Sequence, residues 1–355
     1  MRSPVRVVVF GNSFAAKVQL PALARLEEAQ VVGLAGRDEE KARATAERFG
    51  ISASTGHWPD LLDLEPDLVL VSTPVDLHFD MVSSALEMGA AVLCEKPFTL
   101  DVDQAEDLAN LAQGRLALVD HQLRWNPNRR KLRQLVQEGF VGEVYHVRSD
   151  LVLDSPTFLS RPHGWWFEEA RGGGVLGALG SHMVDDLLWT FGPIEAVRGR
   201  LETFVKERPD TGGTPRPVTA DDHAELWLRA AGGAAISLTC SVSAPGASRW
   251  LTEVAGSEGT LRIDLEDDLV GGRHGEDMRS IEVDGELADP AAHGIEATGP
   301  FAACEPLFLA DVVDCVARGA SELPGAATFE DGLACMRVLE AARRSSKSGD
   351  WVDCR

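Results

Sequence analysis

Residues 7–16 read VVVFGNSFAA, an apolar run that breaks at a glycine and continues with small and polar residues. Residues 7–10 are apolar at every position, as in a parallel strand that is covered on both faces. Gly11 then supplies a tight turn. A strand followed directly by a glycine turn at the start of a strand–helix–strand unit predicts the first unit of a doubly wound parallel sheet.

The same alternation continues to about residue 120. Compact apolar runs predict further strands over residues 30–35, 68–73, 91–94 and 116–119. Amphipathic stretches that end near glycines predict helices over residues 38–49, 80–88 and 101–112. Because strands alternate with helices, we expect residues 1–120 to form a Rossmann domain, a doubly wound parallel α/β sheet.

A different pattern follows residue 120. Residues 143–153 alternate polar and apolar side chains, which is typical of a strand with one buried face. Closely spaced runs predict more strands over residues 196–205, 224–228, 234–242, 251–254 and 260–264. Helical patterns cover residues 127–138, 174–190, 306–317 and 329–345, and residues 209–217 and 271–299 are expected to be loops. We therefore expect residues 121–355 to form a second α/β domain with a large, open, mainly antiparallel sheet.

Charge and composition exclude several classes of partner. The chain of 355 residues carries a formal charge of -22, so nucleic acid and anionic membranes would be repelled. No apolar run approaches the roughly 18 residues that span a bilayer, and the first apolar run is too short for a signal peptide. The six cysteines lack metal-ligand spacing. We expect a cytoplasmic protein with reduced thiols, no bound metal and a small-molecule substrate.

The turn after the first strand is a degenerate dinucleotide motif. Of the three glycines of GxGxxG, Gly11 is present, Ser13 replaces the second and Ala16 is an accepted third. A simple strand–turn–helix explains such a remnant as well as a cofactor site does. Its place at the start of the sheet favours cofactor contacts from Gly11, Ser13, Phe14 and Ala15, with the Ser13 hydroxyl donating to a phosphate.

The end of the second strand bears on cofactor choice. Arg37 comes first there, followed by Asp38. A guanidinium suits the 2′-phosphate of NADP, whereas an acidic residue at this place binds the ribose hydroxyl of NAD. Arg37 therefore favours NADP over NAD. The alternative is that Arg37 is an exposed loop charge and that Asp38 binds the ribose or caps the next helix.

Two later strands run into polar segments. Thr73 ends the strand predicted at residues 68–73, and Pro74 and His78 follow it. Glu95 and Lys96 follow the strand at residues 91–94. Ligands of open α/β sheets bind beyond the carboxyl ends of the strands, so we expect these residues to contact or adjoin the cofactor. For His78 a structural role is equally compatible, and a lysine at a strand end is also common as a solvated terminus.

Four segments together resemble the Gfo/Idh/MocA family, named for glucose–fructose oxidoreductase and inositol dehydrogenase. They are STPVDLH (72–78), VLCEKPFTLD (92–101), GGGVLGALGSHMVDDLLW (172–189) and the tail at 328–352. The resemblance covers nearly the whole chain. It implies a Rossmann domain, an open-sheet domain that members often use to form homo-oligomers, and hydride transfer between a nicotinamide cofactor and a hydroxyl or ketone of a sugar, sugar derivative or cyclitol.

The resemblance also implies catalytic roles. By position, Lys96 corresponds to the family's catalytic lysine and His182 to its histidine. A histidine titrates near neutral pH and can take a hydroxyl proton, while an ammonium stabilises a developing alkoxide. Where the family commonly has an Asp one turn before the histidine, this chain has Ala178. Asp185 matches another family position and either orients the imidazole or pairs locally.

Substrate contacts are predicted at three side chains. Arg124 follows the fifth strand and either holds a polar substrate or bridges the domains. Trp165 and Trp166 precede the glycines at residues 172–174 and either stack on a sugar or nicotinamide face or belong to the core.

Two other functions fit the same motifs. A non-catalytic NAD(P)-binding sensor is compatible with the degenerate turn and with Ala178. A redox-neutral epimerase or glycosidase would need a transient ketone, and a tyrosine acid or base has no candidate but Tyr145. We expect a homo-oligomer, either a dimer or a tetramer, since a broad open sheet face needs a cover.

Overall fold

The computed structural model describes residues 3–154, 158, 160–264 and 268–355. The chain forms two compact units. Unit 1 comprises Met1–Thr99, Asp103–Asn126 and Glu286–Gly332, and unit 2 comprises Leu100–Val102, Pro127–Gly285 and Leu333–Arg355. A single boundary at residue 120 therefore does not describe the chain, because residues 286–332 return to the first unit.

The described part of unit 1 contains a seven-stranded sheet in the order β17-β6-β5-β4-β1-β2-β3. Its strands are β1 Val5–Phe10, β2 Ala29–Ala35, β3 Ala53–Thr55, β4 Leu68–Val71, β5 Ala91–Cys94, β6 Ala117–Val119 and β17 Ala327–Thr328. All neighbours pair in parallel except β17 with β6. The predicted doubly wound sheet is confirmed.

Helices cover this sheet. They are α1 Leu20–Leu23, α2 Glu39–Phe49, α3 His78–Glu87, α4 Val102–Leu111 and α7 Pro300–Ala317. A π-helical turn, Ala15–Gln19, leads into α1. The long helix α7 packs against β1 and α1, which explains why its segment joins unit 1: a parallel sheet needs helices on both faces. It begins at Pro300 rather than at the predicted Pro306, which lies inside the helix.

Among the described residues, unit 2 forms a nine-stranded sheet in the order β16-β15-β14-β13-β7-β12-β11-β8-β18. Its strands are β7 Val144–Val152, β8 Ile194–Glu202, β11 His223–Ala230, β12 Ala235–Ser241, β13 Arg249–Gly256, β14 Gly259–Asp264, β15 Asp268–Arg273, β16 Arg279–Ser280 and β18 Val352–Asp353. Neighbouring strands are antiparallel apart from β7 with β12. The predicted, mainly antiparallel sheet is confirmed.

The helices of unit 2 match their predictions closely, while two predicted loops were wrong in part. The helices are α5 Pro127–Gln137, α6 Ser181–Phe191 and α8 Phe329–Ser348, of which residues 329–332 belong to unit 1. The first supposed loop forms a small hairpin of β9 Glu207–Pro209 and β10 Pro215–Pro217, and the second contains β16. These strands are two or three residues long, too short to show a period of two. In the described residues, no helix combines the length and the apolar character needed to cross a membrane.

Candidate active site

The turns after β1 and β4 lie at one edge of the unit 1 sheet. The two strands are parallel neighbours, and the strand order reverses between them: β2 follows on one side and β5 on the other. Backbone hydrogen bonds hold both turns, with Gly11 N donating to Ala35 O at 2.8 Å and Ser72 N donating to Phe10 O at 2.7 Å. Such a switch point opens the crevice in which doubly wound sheets bind their ligands.

Gly11 is required at this edge by its conformation and by its surroundings. Its φ is +111°, and a Cβ on it would lie 2.2 Å from the carbonyl oxygen of Ser72. The two backbones thus approach as closely as a dinucleotide turn demands. Ser13 is exposed, Phe14 is half-buried and Ala15 is buried at the start of the π-helical turn. The Ser13 hydroxyl is therefore accessible to a phosphate, which fits the predicted contact.

Asp38 acts as the N-cap of α2. Its carboxylate accepts a hydrogen bond from Lys41 N at 3.1 Å and pairs with Lys41 Nζ at 3.0 Å. These bonds hold the pKa of Asp38 below its ordinary value. Arg37, directly before it, is exposed at the carboxyl end of β2. The capping interpretation of Asp38 fits this geometry, and the exposed guanidinium of Arg37 is accessible to a cofactor.

His78 connects the segments that follow β4 and β5. Its ring is fully buried, with Nδ1 3.1 Å from Phe98 O and Nε2 2.9 Å from Thr73 O. Burial lowers the pKa of His78, and the two carbonyl oxygens, each an acceptor for a ring N–H, act in the opposite direction. The ring therefore fixes the loop of Thr73 and Pro74 against the loop that carries Lys96, and the structural interpretation of His78 is the one that these contacts fit.

Lys96 follows β5 directly and is half-buried. Its backbone N–H donates to the carboxylate of Glu95 at 3.2 Å, and the peptide bond to Pro97 is cis. Burial lowers the pKa of Lys96, while the negative charges of Glu95, Asp120 and Glu305 act in the opposite direction. Burial likewise raises the pKa of Glu95, against the attraction of the neighbouring ammonium. The lysine thus lies in a polar pocket that is rich in carboxyl groups.

That pocket contains residues with no assigned role from the sequence. Gln19 Nε2 donates to Asp120 Oδ2 at 3.0 Å and contacts Glu95 Oε1 at 3.5 Å, and its Oε1 accepts a hydrogen bond from Ser72. Glu305 reaches the same pocket from α7, where burial raises its pKa to about 8. A glutamate within the mostly apolar run at residues 300–313 is a signal that sequence reasoning missed.

Arg124 is engaged within unit 1. The guanidinium pairs with Asp331 Oδ1 at 3.2 Å and donates to Ala326 O at 3.3 Å, and the side chain is 4% exposed. Both partners belong to the segment that returns after residue 286. A bridging role fits these contacts, although it joins two segments of one unit rather than two domains.

Replacing Arg124 with Met tests that role against substrate binding. We expect the free energy of unfolding to fall by about 2 kcal/mol, because a buried pair loses one charge while Asp331 is partly screened by solvent. Urea unfolding of this variant, of Asp331→Asn and of the double variant measures the coupling. A selective rise in KM with unchanged stability would instead support substrate binding by Arg124.

Unit 2 contains the remaining candidate residues. His182 and Asp185 lie on α6 and are each 2% exposed. On the same helix Asp186 accepts a hydrogen bond from Arg129 Nη1 at 2.6 Å. A second π-helical turn, Leu176–Gly180, precedes α6 and includes the buried Ala178. Such turns occur frequently at functional sites.

Asp221 fixes the start of this helical segment and was not predicted. Its Oδ2 accepts a hydrogen bond from Leu176 N at 2.7 Å, and burial raises its pKa to about 6. Gly174 lies against it with a φ of +111°, and a Cβ there would meet Asp221 Oδ1 at 2.3 Å. The glycine run thus allows a carboxylate from a distant segment to cap the segment that leads to His182.

Both tryptophans are half-buried. The ring of Trp166 contacts Phe158 edge-on with 4.8 Å between centroids and lies 5.7 Å from Phe167. The core interpretation fits Trp166, and substrate stacking by Trp165 stays a prediction. The described residues contain no group of His, Cys, Asp or Glu side chains arranged to hold a metal ion.

Family models match both parts of the chain. Residues 5–121 match the GFO/IDH/MocA oxidoreductase family with its NAD-binding Rossmann fold, and residues 129–262 match the GFO/IDH/MocA C-terminal domain. The chain belongs to the GFO/IDH/MocA oxidoreductase family. The predicted resemblance and the nicotinamide-binding Rossmann fold are thereby confirmed, and the structure places Lys96 in the unit that carries this fold.

Individual GFO/IDH/MocA relatives extend the likeness to the full chain. Glucose-fructose oxidoreductase domain-containing protein 2 of Xenopus laevis is 33% identical over 97% of this chain and 92% of its own. An oxidoreductase domain protein from Kribbella flavida has a solved structure with 32% identity, a TM-score of 0.86 and full coverage of both chains. Levoglucosan dehydrogenase in complex with NADH and L-sorbose, at 23% identity, has a TM-score of 0.86 and 99% coverage of both chains, which shows likeness of fold.

Proposed function

We propose that this oxidoreductase transfers a hydride between a nicotinamide dinucleotide and a hydroxyl or ketone of a sugar, sugar derivative or cyclitol. The observation that carries the proposal is the place of Lys96, directly after β5 and next to the β1–β4 switch point of the sheet. Ligands of doubly wound sheets bind at this edge. The Gly11 turn supports the cofactor half of the proposal, since its backbone geometry leaves no room for a side chain.

The chain's own residues have distinct proposed roles. When bound, the nicotinamide ring accepts or supplies the hydride. The Lys96 ammonium hydrogen-bonds the reacting oxygen and stabilises negative charge on it, as preorganised donors do in other enzymes. The His182 imidazole takes the hydroxyl proton during oxidation and returns it during reduction. Asp185, three residues further along α6, orients the imidazole.

Sugars are the first substrates to test. A neighbour of the same fold is described as a levoglucosan dehydrogenase in complex with NADH and levoglucosan, and another as a dehydrogenase in complex with NADH and UDP-GlcNAcA. A panel of sugars, sugar nucleotides and cyclitols with NAD and with NADP, followed by the absorbance of reduced nicotinamide, tests the proposal. Turnover that survives both Lys96→Met and His182→Ala would contradict the catalytic roles, and tight cofactor binding without any turnover would favour a sensor.

Arg37 is proposed to select NADP. In the Arg37→Ala variant we expect NADP to bind about ten- to a hundredfold more weakly, with NAD affinity changed by less than about threefold, because only NADP has a 2′-phosphate for the guanidinium. Titration of protein fluorescence or calorimetry with both nucleotides measures the two constants. Arg43→Ala, another exposed arginine beyond β2, is the matched control. Equal losses for both nucleotides would show that Arg37 does not read the 2′ position.

Further assignments complete the proposal. Trp165 is proposed to border the substrate, and Arg124 to hold the segment of Ala326 and Asp331 within unit 1. The open nine-stranded sheet is proposed to form a homo-oligomer in a cytoplasmic protein. Analytical ultracentrifugation measures the assembly.

A further inference from the structure

Three buried carboxyl groups of unit 1 form what we call the acid cluster: Glu95, Asp120 and Glu305. Asp120 and Glu305 are 0% exposed and Glu95 is 8% exposed. Gln19 connects two of them, since its Nε2 donates to Asp120 at 3.0 Å and lies 3.5 Å from Glu95. The charge of Glu95 acts on Glu305, and the side chains of Gln19, Asp120 and Gln122 lie next to it. The acid cluster therefore joins α7 to the loops that follow β5 and β6.

The acid cluster has fewer hydrogen-bond donors than acceptors. Of the buried side-chain oxygens in the described residues that have no partner in hydrogen-bonding geometry, four lie in the acid cluster or against it: both of Glu305, Oδ1 of Asp120 and Oε1 of Gln122. All four are acceptors when the carboxyl groups are ionised. Buried acceptors without donors are costly and rare. A proton on Glu305 would convert one acceptor into a donor and supply a hydrogen bond to Asp120 or Gln122.

The charges around the acid cluster also favour a proton on one of its carboxyl groups. Within the described residues, Lys96 and the thiol of Cys94 are ionisable groups next to it, and burial raises the pKa of that thiol well above its ordinary value. The thiol is therefore neutral, and the ammonium of Lys96 attracts the carboxylates. Three buried carboxylates beside one ammonium repel one another, and protonation relieves this repulsion.

We propose that Glu305 is a positioning residue for Lys96, held protonated at neutral pH and donating a hydrogen bond within the acid cluster. Ionisation of Glu305 releases its proton to solvent and adds a negative charge close to Lys96. The ammonium is then drawn towards the acid cluster and away from the reacting oxygen. The role towards the substrate rests on the proposed function, whereas the protonation of Glu305 does not.

Glu305→Gln tests the kinetic consequence. Gln has the shape of the protonated acid and donates a hydrogen bond at every pH. We expect kcat/KM of the wild-type protein to fall with an inflection near pH 8, the pKa of Glu305, and the variant to lack that inflection. An identical inflection in both proteins would overturn the assignment. Glu322→Gln, the same substitution at an exposed residue that precedes β17, should keep the wild-type profile.

Stability against pH tests Glu305 without any substrate. Because its pKa is raised from 4.5 to about 8, its contribution to folding is complete below 4.5 and is lost as the pH rises through 8. Relative to Glu305→Gln, the unfolding constant of the wild-type protein should therefore rise on the order of ten- to a hundredfold between about pH 6 and about pH 9. Urea unfolding of the two apoproteins across this pH range measures both unfolding constants. Parallel curves for the two proteins would overturn the proposal even if sugar oxidation is found.

Two further measurements separate the other outcomes. Glu305→Leu has no donor, so it should leave the oxygens of Asp120 and Gln122 unsatisfied and unfold more easily than Glu305→Gln. Equal stability of the two variants would show that side-chain volume alone determines the effect at this position, which would count against a hydrogen-bonding role for Glu305. Stabilisation of the wild-type protein by magnesium or calcium chloride, absent in Glu305→Gln, would identify a cation in place of the proton. The failure of all sugar turnover would refute the proposed function and leave the stability test unaffected.

Discussion

Replacing Lys96 with Met is expected to lower kcat/KM by about a hundred- to a thousandfold, the usual loss when one preorganised donor to a developing oxyanion is removed. Met keeps most of the length of the lysine side chain and removes the charge. The effect should appear mainly in kcat, because the interaction with an alkoxide strengthens as the transition state is approached. Steady-state rates with the best sugar of the panel measure it.

The position of Lys96 in the acid cluster makes a second readout available. Without the ammonium, the carboxyl groups lose the charge that lowers their pKa values, so Lys96→Met should take up a further proton at neutral pH. Because the added proton removes one of the repelling negative charges, Lys96→Met should lose less stability than the loss of the ammonium alone would cause. Lys206→Met, an exposed lysine of unit 2, is the control and should retain wild-type rates. A Lys96→Met protein that is folded, binds the dinucleotide and keeps full turnover would refute the proposed role.

Five of the seven strands described in unit 1 could be predicted from sequence, because burial on both faces demands an unbroken apolar run; β3 and β17, three and two residues long, were not predicted. The runs at residues 7–10 and 91–94 coincide with strands, and the cap at Asp38 was readable from its position before α2. Lys96 was predictable in the same way, since a polar residue directly after a buried strand must lie at the edge of the sheet. These inferences use neighbours along the chain.

Contacts between residues far apart in the sequence could not be predicted from local patterns. Glu305 is more than 180 residues from Asp120 in the sequence. The local pattern around Glu305 does not indicate which sheet α7 packs against. Asp221 caps a segment that begins 45 residues earlier, by a bond to a backbone N–H that has no sequence signature. The local sequence predicts a substrate contact or an interdomain bridge for Arg124, because its partner Asp331 lies beyond the second sheet in sequence. Topology decides such pairs, and single-sequence patterns do not encode it.

The second large effect is expected from Gly11→Ala. The new Cβ would lie 2.2 Å from Ser72 O and 2.6 Å from Ser72 C, both backbone atoms that no rotamer change can move. The backbone of β1 or of the segment after β4 must shift, at the edge where the dinucleotide is proposed to bind. We expect the free energy of unfolding to fall by about 2–4 kcal/mol, the sum of strain at positive φ and overpacking. Dinucleotide affinity should fall at least about a hundredfold, because the pyrophosphate needs close approach to this turn.

Gly50→Ala separates the two causes. Gly50 ends α2 at a φ of +68° and a Cβ there would have open space within 4 Å, so this variant introduces the strain of a left-handed alanine without a clash. It should lose about 1 kcal/mol and bind the dinucleotide normally. Urea unfolding and nucleotide titration of both variants give the comparison. If Gly11→Ala lost no more stability and affinity than Gly50→Ala, the turn would have room to relax, and close backbone approach would not explain the glycine. A loss of dinucleotide affinity in Gly11→Ala but not in Gly50→Ala would place the cofactor's phosphates against this turn. Ser13 is exposed two residues later, at the position where the motif has its second glycine, and would then be the next side chain to replace.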